Sequence, residues 1–332
     1  MRRLPDNRAS IDTLQKIQLG DTAQWIRIRG QNVANPVLLL IPQGPGFPLI
    51  QEADDFQRST HLEDNFTIVY WDPRGCGLST RGLQTHRPIT LHHMVDDVVE
   101  LVTALCARFD TPSIFIGGFS LGGTIAAMAA DLIPTLVTAL VVVGMDVQFD
   151  EAERVAYEYV LSEAARRHHR RAARQLRSIG MPPHLTGKTF GTRVRWLANF
   201  GGVMRNSTYG ALVGTLLRQL LRSGAYSWAD LVRTIRAMSR VQTALLPEMA
   251  GLDLVTMLPR LDVPIYLLHG SHDFASPIRT AQSYFDHLVA PRGKEWVPFE
   301  DSAHMPQYEE SDRFARTLLR IASHHHSQRA NA

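Results

Sequence analysis

Gly118-Phe119-Ser120-Leu121-Gly122 decides the fold, because of the segments on either side of it. The preceding run, residues 113–117, is short, apolar and partly β-branched, and so predicts a buried strand. The following run, residues 123–130, is rich in alanine and predicts a helix. A G-x-S-x-G pattern between a strand and a helix indicates a sharp turn that presents the serine hydroxyl at the helix N-terminus. Ser120 is therefore the candidate nucleophile, and glycine is needed on either side because larger side chains would collide with the neighbouring strand and helix.

A serine hydroxyl is a poor nucleophile at neutral pH, so it needs a base and an orienting acid. The apolar run at residues 263–270 predicts a second buried strand, and Asp273 lies in the loop directly after it. Residues 294–299 predict a last strand, and His304 lies in the loop that follows. Because the carboxyl ends of parallel strands meet at one edge of a sheet, these side chains are expected to converge. We predict that Ser120 attacks, that His304 removes its proton and later protonates the leaving group, and that Asp273 holds the imidazole tautomer.

The negative charge that forms during such an attack needs hydrogen-bond donors that are already in place. The first predicted donor is the backbone N–H of Leu121, the residue after the serine. The second is expected from the loop 42–46, which follows a predicted strand at residues 36–41. Pro45 has no N–H, so Gly44 is the preferred donor in that loop and Gln43 is the second choice.

Two further segments resemble those of a known family. The run Gly44-Pro45-Gly46 and the segment D-P-R-G-C-G-L-S at residues 72–79 are similar to the H-G-G-P-G and D-x-R-G-C-G-x-S segments of proline iminopeptidases. These are α/β-hydrolases with a helical cap, many of which remove N-terminal residues from peptides. The resemblance spans roughly residues 20–145 and 250–320. It implies that Ser120, Asp273 and His304 form the catalytic triad, and that the loop holding Cys76 approaches the active site.

The sequence departs from that family at two places. Pro42 and Gln43 stand where the family pattern has its first histidine and glycine. The turn reads Gly-Phe-Ser-Leu-Gly-Gly where peptidases of the group typically have Gly-Gly-Ser-Trp-Gly, so Leu121 changes one wall of the pocket. The fold and the triad are expected to persist through these changes, but aminopeptidase specificity does not follow from them.

The order of predicted elements indicates a mostly parallel central sheet with helices on both faces, and the resemblance implies that this is an α/β-hydrolase fold. Two polar, alternating segments at residues 11–20 and 23–29 predict an antiparallel hairpin at the edge. Strand and helix then alternate until residue 145, and they do so again from residue 251. The intervening residues are helical, so we predict a core of residues 1–145 and 251–322, an all-helical cap of residues 146–250 and a flexible tail of residues 323–332.

The predicted cap carries many arginines and few acids. Six arginines are expected on one helix between Glu151 and Arg177: Arg166, Arg167, Arg170, Arg171, Arg174 and Arg177. They either form a solvated face or attract an anionic substrate or partner. No recognised nucleic-acid motif accompanies them, so a nucleic-acid partner is not predicted.

Recognition of a free amino group would need carboxylates, for which the cap offers Glu151, Glu153, Glu158, Glu163, Asp230 and Glu248. The aromatic residues of the cap can either line an acyl pocket or pack the cap onto the core. The residues assigned provisionally to substrate binding are Phe119, Cys76, Trp196, Tyr209, Trp228 and Glu248.

Composition narrows the classes of protein to which this chain can belong. A chain of 332 residues with 45% hydrophobic residues is long enough for one catalytic domain and an insertion. No apolar run is long enough to cross a bilayer, and residues 1–6 are followed by no apolar signal segment. The two cysteines, Cys76 and Cys106, form no disulfide framework, which favours the cytoplasm. The histidine pairs lack metal-ligand spacing, so neither a metal nor a cofactor is predicted.

These observations predict a cytoplasmic serine hydrolase that cleaves an amide or an ester through an acyl-enzyme, in the manner of proline iminopeptidases and other aminopeptidases. The substrate is expected to be a small molecule or a short peptide, and no membrane partner is predicted. The alternative is an esterase, thioesterase or lactonase that acts on a small anionic or apolar metabolite. A lyase or cyclase with the same triad is a second alternative, and the oligomeric state is left open.

Overall fold

The computed structural model describes residues 9–81 and 89–330, and in that part of the chain eight strands form one mixed sheet. The prediction that no signal segment precedes the core depends on residues that lie outside this description. The strands are β1 (Ile11–Leu19), β2 (Thr22–Gly30), β3 (Val37–Ile41), β4 (Thr67–Asp72), β5 (Ile114–Phe119), β6 (Val137–Val143), β7 (Ile265–Gly270) and β8 (Lys294–Phe299). Their order across the sheet is β1-β2-β4-β3-β5-β6-β7-β8, antiparallel at β1–β2 and β2–β4 and parallel elsewhere. The predicted α/β class and edge hairpin are confirmed.

Helices cover both faces of this sheet. Those of the core are α1 (Ala53–Thr60), α2 (Leu91–Phe109) and α3 (Leu121–Leu132). Those between β6 and β7 are α4 (Phe149–Arg166), α5 (Arg170–Ile179), α6 (Gly187–Asn199), α7 (Tyr209–Arg222), α8 (Trp228–Met249) and α9 (Leu254–Met257). The last are α10 (Ile278–His287), α11 (Pro306–Glu309) and α12 (Ser311–Ala330).

The central strands are buried on both sides, as their continuous apolar sequences predict. In β3, Leu39 packs into a core cluster with α2, α3 and α10, while Leu38 and Leu40 pack into a second cluster with α1 and α12. This alternation follows from the period of two along a strand. It fixes the register of the sheet, and with it the position of every loop at the carboxyl edge.

The predicted helical insertion is present between β6 and β7. It has a core of its own, formed by buried residues of α4, α5 and α6 that include Val160, Leu176 and Leu197. The insertion is joined to the sheet domain by α8, whose residues Val241 and Leu245 are buried in the first core cluster. The cap is therefore a packed layer that is attached to the core by apolar contacts.

The prediction of a flexible tail from residue 323 is wrong for the described residues, because α12 continues to Ala330. The apolar stripe of this helix, which includes Phe314, Leu318 and Ile321, lies against the sheet. His325 extends that stripe by one turn, and its Nε2 is 3.0 Å from the hydroxyl of Tyr266. The buried hydrogen bond between His325 and Tyr266 stabilises this end of α12, although the composition of the segment alone indicates a solvated end.

The arginine-rich segment is also different from its prediction, because it is not one helix. Helix α4 ends at Arg166 and α5 begins at Arg170, with His168 between them at a φ of 51°. Residues with a side chain rarely adopt this left-handed backbone conformation, and it interrupts the predicted helix.

Within the described part of the chain, no helix combines the length and the apolar character that a membrane crossing requires.

Candidate active site

Ser120 lies at the sharp turn between β5 and α3, with φ 52° and ψ −126°. This region of backbone conformation is strained for any residue with a side chain. The turn is tight on both sides, since a Cβ at Gly118 would lie 2.6 Å from the carbonyl oxygen of Gly122. A Cβ at Gly122 would lie 2.3 Å from the carbonyl oxygen of Pro42, in the loop after β3. Both glycines are therefore required where the sequence has them.

Asp273 and His304 meet at the same edge of the sheet, in the loops after β7 and β8. Oδ2 of Asp273 is 2.8 Å from Nδ1 of His304. Oδ1 of the same carboxylate accepts hydrogen bonds from the backbone N–H groups of Ala275 and Ser276, at 2.8 and 2.9 Å. The pair packs against Gly144, where a Cβ would lie 2.9 Å from Nδ1 of His304. The imidazole is thereby held between a fixed carboxylate and a residue with no side chain.

The charge around His304 favours its protonated form. Burial alone would lower the pKa of His304, but the carboxylates of Asp273 and Asp146 outweigh burial and raise that pKa above its ordinary value of 6.5. A base with a raised pKa is a stronger proton acceptor, which suits the removal of a proton from a hydroxyl. A second buried histidine, His269, lies 3.7 Å from the Asp273 carboxylate, and burial lowers its pKa.

The loop after β3 brings two of the predicted hydrogen-bond donors near the serine. Gln43 and Gly44 line the same cavity as Ser120 and His304. Gly44 also lies against Leu121, because a Cβ on it would come within 2.9 Å of Cδ2 of that residue. The residue after the serine and the loop after β3 are thus neighbours, as a two-donor anion site requires.

Asp146 is a further residue of this site, and sequence reasoning missed it. It follows β6 and accepts a hydrogen bond from Oγ of Ser120 through Oδ2, at 3.3 Å. Its Oδ1 accepts a hydrogen bond from the hydroxyl of Ser276. Burial raises the pKa of Asp146, although the hydroxyl of Ser276 and the nearby His304 partly oppose this effect. Among the described residues, the hydrogen-bond partner of Ser120 Oγ is therefore Asp146 and not His304.

A cavity of about 700 Å³ lies over Ser120 and His304, between the core and the cap. Its floor belongs to the carboxyl edge of the sheet and its roof to helices α4, α6, α7 and α8. The wall is mostly apolar and includes Phe149, Phe190, Leu197, Leu212, Leu216 and Met238. This volume is typical of a pocket for a small molecule.

Of the six residues provisionally assigned to substrate binding, Tyr209 lines this cavity and the other five do not. Phe119 points into the second core cluster, and Trp196 packs inside the cap with its indole N–H 3.0 Å from Gln175. Trp228 lies on the surface with 72% of its area exposed. The amphipathic patterns of these segments do not distinguish a wall that faces a cavity from one that faces a core.

Cys76 and Glu248 both have structural roles. Cys76 is buried in the first core cluster, and burial raises the pKa of its thiol well above the ordinary value. Arg74, two residues before Cys76, points inward and pairs with Asp97, at 2.6 and 2.7 Å. This ion pair holds the loop against the core. Glu248 accepts a hydrogen bond from the N–H of Leu91 at the start of α2, at 2.8 Å.

The six arginines at the end of α4 and along α5 are all exposed, and none of them lines the cavity. Arg166 and Arg167 both pair with Glu163, at 2.7 and 2.8 Å. The arginines that do line the cavity are Arg58, Arg193 and Arg218. Within the described residues, no three His, Cys, Asp or Glu side chains converge in a way that would hold a metal ion.

Comparison with known proteins agrees with this fold. Residues 36–311 match the family described as alpha/beta hydrolase fold. The chain is 29% identical over 328 residues to the probable aminopeptidase YbaC of Bacillus subtilis (strain 168), and the match covers 97% of this chain and 99% of that protein. The crystal structure of a proline iminopeptidase from Mycobacterium smegmatis is similar in fold, with a TM-score of 0.64 and 17% identity over 94% of this chain and 98% of that one. An esterase from Exiguobacterium antarcticum is also similar, with a TM-score of 0.62 and 18% identity over 94% of this chain and 100% of that one.

Proposed function

The chain belongs to the alpha/beta hydrolase fold family and is a hydrolase, and we propose that it removes the N-terminal residue of short peptides or related aminoacyl amides through an acyl-enzyme on Ser120. The observation that carries this proposal is the cavity above Ser120 and His304, which helices of the cap cover. A space of about 700 Å³ beneath the cap helices has room for one or a few residues of a peptide. A substrate that enters with its end fits this space, which favours an exopeptidase.

In the proposed first half-reaction the hydroxyl of Ser120 turns from Asp146 towards Nε2 of His304. Oγ of Ser120 attacks the carbonyl carbon of the substrate while Nε2 of His304 takes the hydroxyl proton. The oxygen of the tetrahedral intermediate accepts hydrogen bonds from the N–H groups of Leu121 and Gly44. The C–N bond then breaks, His304 gives its proton to the leaving amine, and the acyl group remains on Ser120.

The second half-reaction needs one water molecule. His304 removes a proton from this water as it attacks the acyl carbon, and then returns a proton to Oγ of Ser120. Asp273 accepts the Nδ1–H of His304 throughout and offsets the charge of the imidazolium. The apolar wall of the cavity keeps other water away from the acyl-enzyme, which strengthens these electrostatic interactions.

The aminopeptidase part of this proposal is supported by the long match to a protein named as a probable aminopeptidase. The mostly apolar cavity wall favours the second candidate, an esterase that acts on a small apolar acyl group. The two candidates differ in one requirement, which is a free amino group next to the scissile carbonyl.

A panel of chromogenic substrates tests this choice. We expect turnover of aminoacyl p-nitroanilides and little turnover of the same compounds after N-acetylation, since the cavity must accommodate an amino end. Short-chain acyl p-nitrophenyl esters complete the panel. Turnover of the esters alone would overturn the aminopeptidase proposal in favour of the esterase.

The pH dependence of kcat/KM is a further expectation. The pKa of His304 is raised, so the inactive imidazolium persists to higher pH, and the acidic limb of the profile should lie above pH 6.5. An ester without an amino group is the proper substrate, because an α-amino group titrates near pH 8. The variant Asp146→Asn removes one of the carboxylates that raise this pKa, so its acidic limb should move to lower pH. An acidic limb below pH 6 in the wild-type enzyme would contradict this account of the site.

A further inference from the structure

The cap carboxylates that could have bound an amino group are already engaged. Glu153 pairs with Arg193 at 2.5 Å, and Asp230 pairs with Arg81 and Arg233. The remaining four are held by arginines or by a helix N-terminus: Glu151, Glu158, Glu163 and Glu248. A carboxylate that recognises a free amino group is therefore more readily found in the sheet domain or in the segment that joins β6 to the cap.

Two carboxylates of the cavity, Asp146 and Glu52, lack an ion pair with any arginine or lysine of the described residues. Glu52 accepts a hydrogen bond from the hydroxyl of Tyr308. Asp146 is 93% buried, with 7% of its area exposed, and its Oδ2 lies 3.3 Å from Oγ of Ser120. Of the two, Asp146 is the one whose carboxylate contacts the proposed nucleophile.

Covalent geometry fixes where an amino group must be. In an aminoacyl substrate the nitrogen and the carbonyl carbon are both bonded to Cα, so they lie about 2.5 Å apart. When that carbon is in position for attack, the nitrogen lies within about 3–5 Å of Oγ of Ser120. The Oδ2 atom of Asp146 occupies this same shell around Oγ. These distances are compatible with a charge-assisted hydrogen bond of about 2.8 Å between the ammonium group and Oδ2.

We infer that Asp146 binds the free α-ammonium group of the substrate's N-terminal residue. This inference rests on the proposed function, and it assigns the amino-end specificity to the loop after β6. The ammonium supplies a positive partner for a buried carboxylate that has no ion pair with an arginine or lysine of the described residues. Burial raises the pKa of Asp146, and a bound cation shifts the equilibrium towards the ionised form.

The same contact prepares the nucleophile. In the structure the hydroxyl of Ser120 donates to Oδ2 of Asp146. An ammonium at Oδ2 displaces this hydroxyl, which is then free to donate to Nε2 of His304. A substrate with a free amino end therefore helps to assemble the Ser120–His304 hydrogen bond that its own cleavage needs.

The test compares two matched substrates, alanyl p-nitroanilide and propionyl p-nitroanilide, which differ by the amino group alone. In Asp146→Asn the ratio of their kcat/KM values should fall by about 30-fold or more, the usual cost of removing one partner of a buried charge pair. The matched control is Glu52→Gln, which neutralises the other unpaired carboxylate of the cavity and should keep the wild-type ratio. Both variants are compared on the pH plateau, so that a shifted pKa of His304 does not contribute.

Two outcomes would overturn the inference. An equal loss on both substrates in Asp146→Asn would make Asp146 a positioning residue for Ser120 or His304. A fall of the ratio in Glu52→Gln alone would move the ammonium site to Glu52. Failure of the proposed function looks different, because the wild-type enzyme would then cleave propionyl esters but prefer neither anilide.

A measurement on the wild-type enzyme tests the inference without requiring that any variant folds. Diphenyl α-aminoalkylphosphonates and their des-amino analogues both react with an active serine. We expect the amino compound to label Ser120 faster than the des-amino compound. Equal rates of labelling would contradict the inference, while leaving Ser120 as the nucleophile.

Discussion

Ser120→Ala is expected to lower kcat by about 10⁵- to 10⁶-fold, because no other group of the site can carry the acyl intermediate. The fold should persist, since the strained backbone at φ 52° is imposed by the close packing of Gly118 and Gly122. What the substitution removes is one hydroxyl and its hydrogen bond to Asp146. Steady-state kinetics with thermal unfolding of the same preparation measures both effects.

Ser120→Gly is the matched control, because it also lacks the hydroxyl. Glycine adopts positive φ without the strain of a side chain, so this variant should be more stable than Ser120→Ala by about 1 kcal/mol. Both variants should be equally inactive. Activity of either variant within about tenfold of the wild type would contradict the nucleophile assignment.

Asp273→Asn is expected to lower kcat by about 10⁴-fold through the wrong tautomer of His304. The backbone N–H groups of Ala275 and Ser276 both donate to Oδ1, so they will hold the carbonyl oxygen of the new amide there. Its NH₂ group then takes the place of Oδ2, 2.8 Å from Nδ1 of His304. Nδ1 must become an acceptor, which places the proton on Nε2, and an Nε2 that carries a proton cannot accept one from Ser120.

The rate of labelling by a fluorophosphonate measures this effect without any dependence on substrate recognition. We expect the labelling of Asp273→Asn to be slowed to a similar degree, with an unchanged melting temperature. Asp146 is the other carboxylate near His304. A mild loss in Asp273→Asn that becomes severe when combined with Asp146→Asn would show that Asp146 orients the histidine, against the roles assigned here.

The sheet and the candidate triad could be predicted from the sequence because both depend on local patterns. Strands β3, β5, β7 and β8 lie within one or two residues of their predicted bounds, since each is a short apolar run between turn residues. The convergence of Ser120, Asp273 and His304 then follows from the parallel order of the strands. These residues could be singled out because each one follows its own strand.

The lining of the cavity could not be predicted in this way. Trp196 and Tyr209 occur in similar amphipathic helices, and only the packing of α5 against α6 decides that Trp196 is inside the cap. Asp146 was missed because it stands at the junction of a buried strand and the cap, where no catalytic motif marks it. A signal was present nonetheless: Gly144 and Asp146 follow a strand of the same sheet, two positions from one another, at the edge where the other site residues lie.

The segment that contains Cys76 shows what the resemblance to proline iminopeptidases can predict. The D-P-R-G-C-G-L-S segment has a structural role here, since Asp72 accepts the backbone N–H groups of Leu49, Ile50 and Leu78. The loop that contains Cys76 is thus fixed by buried hydrogen bonds, away from the cavity. The segment marks the fold of the family and leaves the substrate undefined.

Peptide mapping by mass spectrometry after reaction with a fluorophosphonate is the most direct test of the central claim, which is a nucleophilic Ser120 beneath a helical cap. We predict a single phosphonyl adduct on the peptide that contains Ser120, and loss of both the adduct and turnover in Ser120→Ala. An adduct on another residue, or an unlabelled enzyme that still turns over its substrates, would contradict the account.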